Sequence, residues 1–83
     1  MCIMNDQVFE QEETLKKAEV VGRLRKLADG IETGTLTLEN GGKKVSVNLP
    51  ESLEYELELD EEREDVGMVR TLSLEIEWSE GKL

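Results

Sequence analysis

Apolar and polar residues alternate with a period of two along most of the second half of the chain. The clearest run is Met68–Trp78, MVRTLSLEIEW. Successive strand residues point to opposite faces, so Met68, Arg70, Leu72, Leu74, Ile76 and Trp78 share one face, and Val69, Thr71, Ser73, Glu75 and Glu77 the other. That is the pattern of an antiparallel strand with one wet face. Ser52–Leu59 repeats it, with Leu53, Tyr55, Leu57 and Leu59 inward and Glu54, Glu56 and Glu58 outward. Between the two runs, Asp60–Gly67 reads DEEREDVG and is expected to be a charged loop. If that loop is symmetric, Glu56 falls near Thr71 and Glu54 near Ser73. A register two residues away would oppose Glu54 to Glu75, an unfavourable like-charge pair.

Two shorter alternating runs precede these. Thr35–Glu39 places Leu36 and Leu38 inward, and Lys44–Leu49 places Val45, Val47 and Leu49 inward. Asn40-Gly41-Gly42-Lys43 between them predicts a tight hairpin, because glycine tolerates the positive φ of primed turns. A two-residue Gly41-Gly42 loop sets Leu38 opposite Val45 and Leu36 opposite Val47, inside against inside. Pro50 cannot donate to a ladder and ends the strand.

The remaining pattern is helical. Val20, Leu24, Leu27 and Ile31 recur at spacings of three and four, widened by Val21 and Ala28, which predicts a helix over Leu15–Asp29. Thr14 is the N-cap candidate, Gly30 the expected stop, and Glu19 with Arg23 a favourable i,i+4 pair. Gly22 sits mid-helix, where it costs about 1 kcal/mol against alanine unless it admits a close neighbour. Val8 and Phe9 read equally as a short edge strand or as a plug on the core. Met1–Asn5 and Glu80–Leu83 read as loose ends.

One helix followed by four strands predicts an α+β fold. In the expected two-layer sandwich, the helix covers a four-stranded antiparallel meander within a single domain over residues 1–83, its ordered core about 8–79. The predicted core is Leu38, Val45, Val47, Leu57, Leu72, Leu74 and Ile76, with Leu24 and Leu27.

These residues resemble a known family. An acidic stretch with an aromatic (VFEQEE), the helix LKKAEVVGRLRKLADGI, a glycine-containing link, a hairpin whose second strand ends at Pro50, and the amphipathic strands LEYELEL and LSLEIEW closing on Trp78 together look like the amphi-Trp domain family. The likeness runs from about Val8 to Trp78. Where many relatives begin the helix with Ser-Arg-Ala-Glu, this chain has Lys16-Lys17-Ala18-Glu19, without the serine cap. The resemblance implies a self-contained domain and brings no activity, cofactor or substrate with it.

Charge narrows the function classes. Twenty acidic residues face ten basic ones, a net −10, which argues against nucleic acid and anionic membrane as partners. Histidine is absent, removing the commonest general base and metal ligand. The one cysteine, Cys2, has no base to activate it and no second thiol to pair with. The start of the chain lacks a basic and apolar signal pattern, so cytosol is the expected compartment. No glycine-rich phosphate loop or placed nucleophile is present, so neither enzyme activity nor a cofactor is expected.

What remains is surface. Glu54, Glu56, Glu58, Glu75 and Glu77 all take the outward phase of neighbouring strands, forming a candidate face for a protein partner with a basic surface, a free strand edge being the other candidate surface. The alternative is a divalent-cation-binding or accessory domain that uses these glutamates and the acidic loop. Side chains standing parallel off a pleated sheet converge poorly on a metal, and DEERED lacks the ligand spacing of a calcium loop. Lys16, Lys17, Arg23, Arg25 and Lys26 give the helix a basic side, which suits a monomer or a weak, salt-sensitive homodimer. Trp78 reads as a core-edge residue. Arg70, on the apolar phase, is expected to snorkel or to find a carboxylate.

Overall fold

The structure, a computed structural model, describes residues 6–80. It contains one helix, α1 (Lys17–Thr33), and four strands, β1 (Thr35–Asn40), β2 (Lys43–Asn48), β3 (Glu54–Glu64) and β4 (Gly67–Glu77). The fold class is α+β, as the periodicity predicts. The strands form two antiparallel two-stranded sheets, β1–β2 and β3–β4, in place of the single four-stranded sheet expected. β1 and β2 have six residues each and β3 and β4 eleven each, and every strand pairs along its whole length with its hairpin partner. The chain divides into two compact units, Met1–Leu49 and Pro50–Leu83. The expected loose ends at 1–5, including Cys2, and at 81–83 lie outside the described residues.

In the first unit, α1 starts later and ends later than its apolar stripe suggests. Lys16, extended at φ −73° and ψ 154°, occupies the N-cap position with no side-chain cap, so Thr14 does not serve. Gly30 lies inside the helix, and Gly34 ends it at φ 89°, donating its N–H to the carbonyls of Gly30 (3.1 Å) and Ile31 (3.2 Å). Gly30 has a different use. A Cβ there would stand 3.0 Å from Leu36 Cδ1 and 3.4 Å from the Thr35 carbonyl, so a missing side chain lets β1 pass close to the last helical turn. The Leu49 N–H donates to the Gly34 carbonyl at 2.9 Å, fastening the end of β2 to the same corner. Arg23 pairs with Glu13 rather than with Glu19. Residues 6–16 form no regular element: Phe9 is half-buried and Val8 exposed, so Val8-Phe9 is not a strand.

Gly22 admits no close approach, since no atom lies within 4 Å of a Cβ built there. Gly22→Ala is therefore expected to stabilise the chain by about 0.5–1 kcal/mol, through helix propensity and a less flexible unfolded state. A denaturation midpoint that fails to rise would contradict this placement of the helix surface.

The β1–β2 hairpin takes the register read from sequence, Leu38 opposite Val45 and Leu36 opposite Val47. Gly41 (φ 52°) and Gly42 (φ 90°) supply the two positive-φ positions of the turn. Its polar face carries hydroxyl and amide pairs: Thr37 with Ser46 at 3.0 Å, and Thr35 Oγ1 donating to Asn48 Oδ1 at 3.1 Å.

The predicted core is where the structure departs most from expectation. None of the described residues is buried. Leu27, Leu38, Val45, Val47 and Ile76 are half-buried, while Leu24, Leu57, Leu72 and Leu74 are exposed. In the first unit the C-terminal end of α1 meets β1, where Gly30 lies beside Leu36. In the second unit β3–β4 is a two-stranded ribbon on which Tyr55, Leu57, Leu59, Leu72 and Leu74 are exposed.

Candidate functional site

The candidate face lies on the second unit, where the acidic excess is concentrated. Twelve of the twenty acidic residues but only three of the ten basic ones fall within Pro50–Leu83. The expected loop over Asp60–Gly67 is instead the end of the hairpin. β3 continues to Glu64, Asp65-Val66 form the turn, and β4 begins at Gly67, whose φ is 133°. The charged run is part of the ladder: Asp60–Glu64 continue the antiparallel pairing with residues 67–71. On the apolar phase, Arg70 Nε donates to Glu61 Oε2 at 2.6 Å across the strands. That pair answers the question Arg70 raises in the sequence, although an exposed ion pair contributes only about 0–1 kcal/mol.

Moving the turn moves the register. Glu56 lies opposite Glu75 and Glu54 opposite Glu77, four residues from the pairing a symmetric loop would give. The in-and-out phase survives, so the leucines still meet: Tyr55 faces Ile76, Leu57 faces Leu74 and Leu59 faces Leu72. The ribbon therefore has two chemically distinct faces. One bears these three apolar pairs and, toward the turn, Glu61–Arg70 and Arg63–Met68. The other bears Glu54, Glu56, Glu58, Asp60, Glu62 and Glu64 from β3 with Glu75 and Glu77 from β4. That face carries eight carboxylates and not one basic residue. The five glutamates singled out from sequence all lie on it. Sequence reasoning missed Asp60, Glu62 and Glu64, and the signal available was their continuation of the same even-numbered phase.

Electrostatics registers the crowding at Glu56. Its carboxyl is held above the ordinary glutamate value of 4.5, first by a hydrogen bond to the Glu58 carboxyl, then by the charge of Glu75, with smaller contributions from desolvation, Glu77 and Glu54. The folded state thus holds this proton more tightly than the unfolded chain does. Stability from this group is fully present below the unfolded value and is lost as pH rises through the folded one. The melting-temperature difference between Glu56→Gln and wild type is therefore expected to grow in favour of the variant as pH is raised from about 4 toward 7, following this linkage. A difference that shrinks over that range would contradict the sign.

At the open end of the ribbon, Ser52, Leu53, Glu54, Glu77, Trp78 and Ser79 line a concavity of about 460 Å³. Trp78 is half-buried there, and its indole Nε1 donates to Glu80 Oε2 at 3.1 Å. Among the described residues no three carboxylate, cysteine or histidine side chains converge on a point where a metal ion would sit. No helix among them is long and apolar enough to cross a membrane.

A helix joined to two hairpins, the second an amphipathic ribbon leading into a tryptophan, defines a small α+β domain built on two-faced strands. The chain belongs to the Amphi-Trp domain family, whose sequence model matches residues 4–83. Neither a curated protein nor a solved structure matches it.

Proposed function

We propose that this domain is a non-enzymatic protein-interaction module of the cytosol, and that the acidic face of β3–β4 docks a basic surface on a protein partner. The observation that carries the reading is the one-signed face itself. Solubility needs only a moderate and mixed surface charge. Here eight carboxylates share one side of a ribbon, and two glutamate pairs stand directly opposite one another across the strands. Such opposition weakens the hairpin, and a basic partner would relieve it.

The test is the association rate of an oligolysine probe with three proteins at low and physiological ionic strength. They are the wild type, Glu56→Gln/Glu75→Gln on the face, and Glu12→Gln/Glu32→Gln in the first unit, which removes the same charge elsewhere. Steering by a local patch predicts that the face pair slows association severalfold more than the control pair, with the gap closing as salt rises. Equal rates for the two variants would reject the face as the docking surface.

A further inference from the structure

Resting on that reading, we infer that the partner segment is an extended strand of alternating basic and apolar residues, which adds to the outer edge of β3 along residues 54–60. A two-stranded sheet leaves each strand one outer edge, and at an edge alternate N–H and C=O groups point away from the sheet. β3 is eleven residues long and has no proline, no glycine and no lysine. Of the usual devices against edge pairing it carries charge, but not proline or lysine.

That charge makes the edge selective. Along residues 54–60 one phase is Glu54, Glu56, Glu58 and Asp60, and the other is Tyr55, Leu57 and Leu59. A strand laid beside β3 sets its own alternate side chains next to these two rows. Basic residues in one phase meet the carboxylates, while apolar residues in the other extend the face of Tyr55, Leu57 and Leu59 and cover part of it. Tyr55 and Leu59 are each 66% exposed, so there is surface to gain. A second copy of β3 is refused, because antiparallel pairing in phase would set acid against acid. Ladder hydrogen bonds would supply affinity and the alternating rows specificity, as in other strand-addition complexes.

The experiment titrates the full chain with three synthetic peptides: alternating Lys-Val, the same composition with lysines and valines in separate blocks, and the alternating peptide N-methylated at every backbone amide, so that neither edge can donate to a ladder. Strand addition predicts that the alternating peptide binds at least tenfold more tightly than the block peptide. It also predicts that N-methylation removes the advantage, and that amide exchange slows at alternate residues of 54–60. Equal, salt-sensitive binding of all three would overturn strand addition while leaving the acidic face as a docking surface. Binding of none would overturn both. Tight binding of the alternating peptide with protection confined to β4 would overturn the assignment to β3.

Discussion

Replacing Gly42 by valine is expected to destabilise the first unit by about 1–2 kcal/mol or more, the cost of holding a side-chain-bearing residue in the left-handed region. Gly42 sits at φ 90° and Gly41 at φ 52°. A β-branched side chain is penalised most at such angles, while asparagine is tolerated near the φ of Gly41. Gly41→Asn is accordingly expected to be close to neutral. The consequence of Gly42→Val goes beyond local strain. The two-residue turn fixes Leu36 opposite Val47 and Leu38 opposite Val45, and a turn that relaxes by one residue would carry that apolar set to the wet face. Chemical denaturation of the two variants checks this. Equal midpoints for Gly42→Val, Gly41→Asn and wild type would reject the turn.

The acidic face gives the second large effect, in the opposite direction. Replacing Glu54, Glu56, Glu75 and Glu77 together by glutamine removes both like-charge oppositions, Glu54 with Glu77 and Glu56 with Glu75. Each such opposition is destabilising, and less so in salt. The variant is expected to have a higher denaturation midpoint than the wild type at low ionic strength, with the gain shrinking as salt is added. A loss of stability would mean that these carboxylates are engaged in something other than mutual repulsion.

Much of the fold was legible because hydrophobic period reports element type directly. The helix, the four strands and the phase of every strand followed from it, and the Asn40–Lys43 turn chemistry fixed the first register. The second register was not legible. Asp60–Asp65 is polar on both phases, and polarity alone reads as loop. The strand persists there, with Glu61 and Arg70 paired across the ribbon, a relation visible only once the register is known. Helix limits failed for a related reason: Gly30 looks like a stop, but its use is to let Leu36 approach, and the stop belongs to Gly34. The five glutamates of the candidate face were readable because parity survives a shift of register by an even number of residues. Their opposition in pairs, which gives the face its energetic cost, depends on the register itself.

The central claim is that this face exists for a partner, and one comparison tests it most directly. The wild type and the variant with Glu54, Glu56, Glu75 and Glu77 replaced by glutamine are immobilised side by side and exposed to lysate of the source cells at low and physiological ionic strength, with retained proteins quantified. The account predicts a basic protein enriched on the wild type, absent from the variant despite the variant's greater stability, and weakened by salt. The same proteins retained by both, at both ionic strengths, would contradict it.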